Sequence, residues 1–153
     1  MQVGTASGCE NPTSYYFNQR GIWLTYVLVI FLAHLFILSM PFFTTAIAWT
    51  LTNVLHDIAM FVILHVTRGT PYMLDDAGTA RKETQWEQLD QGKQFTPTKK
   101  FLTIVPIVLF FLASFYTKYD KVHFVINASF CALSVIAKIP WFHGKRFFEI
   151  NKW

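Results

Sequence analysis

The chain has 153 residues, of which 53% are hydrophobic and 14% are charged, and its mean hydropathy is +0.34. A soluble domain of this length has too little interior to bury so much apolar surface, which excludes an ordinary soluble protein. The formal net charge of +4 comes from residues placed between apolar runs, without a nucleic-acid-binding motif, so we interpret it as the topology signal of a membrane protein.

Residues 1–21 form a polar leader, which we expect to be irregular. Its segment 11–14, Asn-Pro-Thr-Ser, is typical of a turn. Because the leader is polar and the long apolar run follows it, we predict no cleavable signal peptide, and targeting then depends on the first span.

Two apolar runs follow, at 22–40 and 46–66, and we predict that they form an antiparallel helical hairpin. The first run has no charged residue, and as a helix it reaches about 28 Å, close to one hydrocarbon thickness. The link between the two runs is so short that it joins only antiparallel neighbours. The second run carries the polar residues Asn53, His56 and Asp57.

The stretch 67–100 is predicted to be a polar loop that contains a short amphipathic helix over 80–88. Trp86 and Leu89 are then available to touch the membrane or a partner. Glu83 and Glu87 are spaced as neighbours on such a helix, and a solvated face explains them better than acid–base catalysis.

Spans at 101–117 and 122–137 complete an all-α bundle of four transmembrane helices, followed by a tail at 138–153. Pro106 is placed near the start of the third span, where a missing hydrogen-bond donor costs least. The fourth span is short for a full crossing. We therefore expect one membrane domain over 22–153.

The distribution of Lys and Arg predicts the orientation. With four spans, the leader, the central loop and the tail share one side of the membrane and carry eleven of these residues, against two on the other side. The positive-inside rule then places both termini and the central loop in the cytoplasm.

Asp57 is the most unusual residue of the spans, because a carboxylate there costs a few kcal/mol or more unless it faces protein or water, or is protonated. Asn53 lies on the same helix face, whereas His56 projects about 100° away. Two interpretations stay open, namely a helix–helix or partner contact and a proton- or cation-coupled site. Since no metal spacing, phosphate loop or nucleophile motif is found, we predict a non-catalytic subunit without metal or cofactor.

Several long and compositionally unusual segments carry a family resemblance. They are Arg-Gly-Ile-Trp-Leu at 20–24, Trp-Thr-Leu-Thr-Asn at 49–53, Gly-Thr-Pro at 69–71, Trp-Glu-Gln at 86–88, Gln-Phe-Thr at 94–96, Lys-Phe-Leu-Thr-Ile at 100–104, Ser-Phe-Tyr-Thr-Lys-Tyr-Asp at 114–120 and Ile-Asn-Lys at 150–152. In these segments the chain resembles the Orm/ORMDL family of endoplasmic-reticulum membrane proteins nearly end to end, in its animal form.

The resemblance implies a regulatory function. Members of that family are non-catalytic subunits of serine palmitoyltransferase, which condenses serine with a fatty acyl-CoA, and they inhibit it when ceramide is abundant. Their leader, which here begins Met1, Gln2, Val3, is thought to block substrate access to the catalytic subunit, while ceramide at the subunit interface holds it in place. The implied partners are the large transferase subunits, ceramide and the membrane.

The resemblance also implies ceramide-sensing positions, which fall on Asn11, Thr13, Ile63 and Gln85. The family pattern Asn-Pro-Asn reads Asn-Pro-Thr here, so that Thr13 keeps a hydroxyl but loses the amide. The family usually has Phe and His where this chain has Ile63 and Gln85, and it has Asn where this chain has Asp57.

Two rival functions are a small membrane enzyme or proton-coupled transporter that uses Asp57, and an assembly subunit without lipid sensing. Activity of the protein alone that is lost in Asp57→Asn would indicate the first, and indifference of the complex to ceramide would indicate the second.

Overall fold

The structure is a computed structural model that describes residues 12–67 and 83–142, and within these ranges it contains no β-strand. The helices are α1 (Pro12–Phe17), α2 (Arg20–Leu38), α3 (Thr45–Phe61), α4 (Gln85–Gln88), α5 (Pro97–Tyr116) and α6 (Lys121–Ile136). The axis of α3 continues through a π-helical turn at Val62–Val66, and 3₁₀ turns lie at Leu89–Gly92 and Pro140–Phe142.

Three of the long helices begin at a side chain that accepts a hydrogen bond from the first turn. Thr44 Oγ1 accepts from the Ile47 N–H at 3.3 Å, and Thr96 Oγ1 accepts from the Lys99 N–H at 3.4 Å. Asp120 accepts from two N–H groups of α6, at 3.2 and 3.3 Å. These caps satisfy backbone donors that the helix itself leaves without partners, which fixes where each helix starts.

The prediction of an all-α membrane protein is confirmed. Helices α2, α5 and the continuous Thr45–Val66 segment are long and apolar enough to cross a bilayer, while α6 is a shorter apolar helix of 16 residues. The third span starts at Pro97 rather than at residue 101, because the Thr96 cap followed by a proline at the first helical position starts the helix earlier.

Helix α3 is the centre of the bundle, since it contacts α2, α5 and α6, and α5 in turn contacts α6. Helix α2 is peripheral: only His34 and Ile37 are buried along its whole length. The apolar side chains that α2 turns outward suit contact with lipid rather than with water.

The leader contains more regular structure than expected, because helix α1 occupies Pro12–Phe17. Proline at the first helical position is favourable, since its fixed φ fits the helix and its missing donor has no intrahelical acceptor there. Helix α1 also contacts α2, α4 and the 3₁₀ turn at Leu89–Gly92, and this tertiary support is not visible in the sequence of the leader alone.

Pro106 lies in the interior of α5, and the expectation that it sits near the helix start is wrong. A proline there cannot donate to the carbonyl of Leu102, four residues earlier. Lys138, just beyond α6, supplies the missing donor: its Nζ lies 2.9 Å from the Leu102 carbonyl oxygen. A side chain from a neighbouring segment thus satisfies the backbone group that the proline frees, as membrane helices require.

Candidate functional site

A series of buried polar side chains connects α3 to α6. Asn53 Nδ2 donates to Asn127 Oδ1 at 3.1 Å, and Asn127 Nδ2 donates to Thr50 Oγ1 at 3.4 Å. Thr50 Oγ1 lies 2.8 Å from His123 Nδ1 in the first turn of α6. Both asparagines are almost completely buried. The contact satisfies polar groups that lipid cannot solvate, so the predicted helix–helix role of Asn53 has a defined partner.

His56 and Asp57 extend this polar surface toward α2. His56 Nδ1 lies 3.1 Å from Asp57 Oδ1, and the His56 Nε2 atom hydrogen-bonds with the Tyr26 hydroxyl. Asp57 is 2% exposed, which agrees with the expectation that a carboxylate in a span faces protein. The sequence separated the two side chains by about 100°, but that angle describes their Cβ directions. The atoms at their ends reach each other because both side chains are enclosed.

Two acceptor atoms on one face of α3 have no hydrogen-bond partner in the described ranges, Asp57 Oδ2 and Asn53 Oδ1. The residues are four positions apart, so they are neighbours on the helix surface. Asn53 has its structural contact with Asn127, whereas one Asp57 oxygen stays free to hold a proton. The geometry therefore assigns the packing role to Asn53 and leaves proton chemistry, if any, to Asp57.

Trp86 lies in an apolar cluster at the end of the bundle where α3 ends and α5 begins. The other buried members of the cluster are Met60, Leu64, Leu89 and Leu102. Lys99 Nζ lies 5.1 Å and Lys138 Nζ 6.0 Å from the ring centre of Trp86, so two ammonium groups approach one indole. The expectation that Trp86 and Leu89 touch the membrane or a partner is wrong, because the segment that carries them folds against the bundle and buries both.

A capping box holds α4. The Thr84 hydroxyl accepts from the Glu87 N–H at 3.3 Å, and the Glu87 carboxylate accepts from the Thr84 N–H at 2.8 Å. The predicted helix over 80–88 is thus only four residues long where the structure describes it, at Gln85–Gln88. The expectation of a solvated Glu87 is wrong, since its side chain is buried and serves the cap, while Glu83 is half-buried.

Lys138 joins the Trp86 cluster to the polar side of α3. Besides the Leu102 carbonyl, its Nζ contacts Ser134 Oγ at 3.3 Å. Burial lowers the pKa of Lys138 to about 8, against the opposite effects of Asp57 and Cys131. This ammonium is therefore easier to deprotonate than that of an ordinary lysine.

The elements that carry the proposed ceramide-sensing residues contact one another. Helix α4, which holds Gln85, contacts both α1, which holds Thr13, and the π turn, which holds Ile63. Ile63 is 45% exposed, so it is open to an apolar ligand, whereas Gln85 is 3% exposed and engaged within the protein. Asn11 and the first leader residues, Met1, Gln2 and Val3, lie outside the described residues.

The junction between α1 and α2 is held by a residue that the sequence did not single out. The Asn18 side chain bonds to Asp90 and to Thr98, which lie 72 and 80 positions further along the chain. Trp23 Nε1 on α2 also donates to the Phe17 carbonyl at 3.1 Å. A single exposed asparagine has no sequence signal for such long-range contacts, so only the fold reveals them.

An apolar groove of about 340 Å³ lies between α2 and α5 with α3 as its floor. Its lining residues are Val27, Ile30, Phe31, His34, Trp49, Thr52, Phe101, Ile104, Val105, Val108, Leu109 and Leu112. The two polar ones, His34 and Thr52, bond to each other at 2.8 Å, and the surface they leave for a ligand is hydrocarbon-like.

Comparison with known proteins identifies the family. The model of the ORMDL family matches residues 11–146, and ORM1-like protein 3 of mouse is 52% identical over 153 residues, which cover 100% of both chains. The chain belongs to the ORMDL family. ORM1-like protein 1 of human is also 52% identical, and ORM1-like protein 2 of mouse 51% identical, each over 100% of both chains.

Membership confirms the resemblance drawn from the sequence segments. The ORMDL family is known as a regulator, and the names of the ORM1-like relatives are not names of enzymes. The spans, the buried polar contacts of α3 and the Trp86 cluster are thus the frame on which this ORMDL chain carries its candidate regulatory surface at α1, α4 and the π turn.

Proposed function

We propose that the chain is a non-catalytic subunit that inhibits serine palmitoyltransferase in response to ceramide and so controls the first step of sphingolipid synthesis. The observation that carries this proposal is membership of the ORMDL family over the full length of the chain, at 52% identity with ORM1-like protein 3. The partners are the large subunits of the transferase, and the site of action is the endoplasmic-reticulum membrane with both termini in the cytoplasm.

The surface formed by α1, α4 and the π turn is suited to the proposed lipid. Ceramide combines two hydrocarbon chains with a small amide and hydroxyl head, so it needs apolar contact beside a few hydrogen-bonding groups. Ile63 offers the first, and Thr13, on the helix that leads into the leader, supplies a hydroxyl for the second. Ceramide bound here would hold the leader, from Met1 onward, across the substrate entrance of the catalytic subunit.

Reconstitution tests the proposal directly. The chain is co-expressed with the two large transferase subunits, purified in mild detergent and assayed for condensation of serine with palmitoyl-CoA at increasing ceramide concentrations. We expect co-purification and a ceramide-dependent loss of activity that is absent from the large subunits alone. A complex that forms but ignores ceramide would replace the proposal with the assembly-subunit alternative.

Thr13→Ala tests the ceramide surface within that complex. Removal of the hydroxyl takes away a hydrogen bond of about 1 kcal/mol, so the ceramide concentration for half-inhibition is expected to rise about fivefold. Thr25→Ala is a matched control, because the exposed Thr25 hydroxyl bonds only within its own helix, to the Gly21 carbonyl, as far as the described residues show. An unchanged dose response of Thr13→Ala would remove this residue from the sensor.

The proton-coupled alternative has its own observation, the Asp57 oxygen without a partner among the described residues. It predicts that vesicles containing this chain alone show proton or cation flux and that Asp57→Asn abolishes it. The regulator proposal predicts no such flux, and inhibition of the transferase by Asp57→Asn close to that of the wild type, since the amide keeps the oxygen that faces His56.

A further inference from the structure

Asn18 uses both ends of its side-chain amide across the junction between α1 and α2. Its Nδ2 donates to Asp90 Oδ1 at 2.7 Å, and its Oδ1 accepts from the Thr98 hydroxyl. The first partner lies in the 3₁₀ turn Leu89–Gly92 and the second in the first turn of α5. One residue beside the leader is therefore bonded to two elements of the membrane domain.

Asp90 is in turn fixed by the loop around it. Its Oδ2 accepts from the Thr96 hydroxyl, and its backbone carbonyl accepts from the Lys93 N–H at 3.1 Å. Its φ of 54° is in the left-handed region, which costs a non-glycine residue free energy unless the surroundings over-determine it. Asp90 thus stands in a conformation that aims its carboxylate at Asn18 while both of its oxygens are used.

The groups next to Asn18 hold the same junction from the other side. Phe17 packs against the Trp86 cluster, and its carbonyl accepts from Trp23 Nε1 at 3.1 Å. The Trp23 ring stacks on Phe101 of α5 with 4.6 Å between ring centres. Because α1 has only six residues, these contacts at its C-terminal end determine the direction in which residues 1–11 leave the membrane domain.

We propose that Asn18 is a positioning residue for the leader, and that its contacts with Asp90 and Thr98 set the strength of ceramide-dependent inhibition. The inference rests on the proposed function, in which the leader blocks substrate access. When the contacts are broken, α1 is released from the 3₁₀ turn and from α5, and the leader spends less time over the entrance of the catalytic subunit. Asn18 itself touches no substrate in this scheme.

The test compares Asn18→Ala with Gln19→Ala in the reconstituted transferase complex. Gln19 is the adjacent exposed residue, and its side chain makes no capping bond to α2. Loss of a hydrogen bond to a charged group corresponds to about tenfold in an equilibrium constant. We therefore expect Asn18→Ala to raise the ceramide concentration for half-inhibition about tenfold, with the uninhibited rate unchanged, and Gln19→Ala to behave like the wild type.

An exchange of the two side chains separates positioning from a general loss of structure. Asn18→Asp alone sets two carboxylates against each other and is expected to weaken inhibition at least as much as Asn18→Ala. Asn18→Asp combined with Asp90→Asn restores every donor and acceptor, since the amide now donates from position 90. Inhibition should return to within about twofold of the wild type. If Asn18→Ala does not assemble, this pair of variants decides the question in the same way.

The outcomes distinguish the two levels of the proposal. If the wild-type complex is not inhibited by ceramide at all, the proposed function fails and the role of Asn18 fails with it. If the wild type is inhibited, but Asn18→Ala matches it or the exchanged pair does not recover, the proposed function stands and the positioning role of Asn18 is overturned.

Discussion

The amides of Asn53 and Asn127 meet in the middle of the bundle, where they have the strongest residue-level consequence. Asn53→Ala and Asn127→Ala should each lower the free energy of unfolding, because each leaves the other amide buried without its partner. In a double-mutant cycle we expect a coupling of about 0.6 kcal/mol and at most about 1.7 kcal/mol, the range known for hydrogen bonds between membrane helices. Unfolding in mixed micelles measures it, and additive single effects would contradict it.

Ser129→Ala is the matched control for that cycle. Ser129 lies on the exposed side of α6, and its hydroxyl bonds to the Val125 carbonyl of the same helix at 2.8 Å. Its removal affects no helix–helix contact that the structure describes, so the stability should stay within about 0.5 kcal/mol of the wild type.

Lys138 gives a prediction for pH. Burial lowers its pKa from 10.5 to about 8 in the folded protein, so the folded state binds fewer protons than the unfolded state between these two values. Stability should therefore rise as the pH increases from about 8 to about 10.5, and this contribution should be constant below pH 8. Unfolding of the wild type and of Lys138→Met at several pH values measures it, and equal pH dependences would contradict it.

Residue-level prediction succeeded where the membrane alone dictates the answer. Asp57 and Asn53 had to be buried, because lipid solvates neither a carboxylate nor an amide, and both are. It failed where the answer depends on distant contacts. The use of Lys138 as a donor for the carbonyl freed by Pro106 joins residues that are 36 positions apart, and no local pattern announces it.

Among the elements, the segment that carries α4 is the one whose position the Trp86 ring maintains. Trp86→Ala should lower the free energy of unfolding by about 3–5 kcal/mol, since it removes a buried indole and the contact of two ammonium groups with it. The same change should make residues 83–96 more susceptible to protease. Limited proteolysis in micelles, with cleavage sites identified by mass spectrometry, measures this, and wild-type protection would contradict it.

Trp141→Ala is the control at the level of the elements. The Trp141 side chain is 75% exposed, so its truncation leaves no cavity in the bundle. The stability and the cleavage pattern of the central loop are both expected to match those of the wild type.

Long apolar elements were predictable and short ones were not. The spans follow from the absence of charge over a membrane thickness, which is why α2 and α3 begin within two residues of their predicted starts. Helices α1 and α4 have six and four residues, too few to be stable by themselves, and they exist because they pack on each other and on the bundle. Their surface is where the candidate site lies, so the site was harder to predict than the spans.

At the scale of the whole molecule, the orientation in the membrane stays a prediction that labelling can check. In a chain whose two native cysteines are replaced by alanine, Lys93→Cys and Tyr119→Cys place a thiol on opposite ends of the bundle, both at exposed positions. In sealed microsomes an impermeant maleimide should label the first from the cytoplasmic side and the second only after the membrane is opened. The reverse pattern would overturn the orientation and the cytoplasmic leader.

The shortness of α6 has a consequence for the choice of membrane. Its 16 residues extend about 24 Å, less than the hydrocarbon layer of about 27 Å in the endoplasmic reticulum and of about 32 Å in the plasma membrane. In the thicker bilayer, Asp120 and Lys138 at its two ends would be drawn further toward hydrocarbon, or the lipid around them would have to thin. Each extra ångström of mismatch costs a fraction of a kcal/mol, so the helix itself favours thin, early secretory membranes over thick ones.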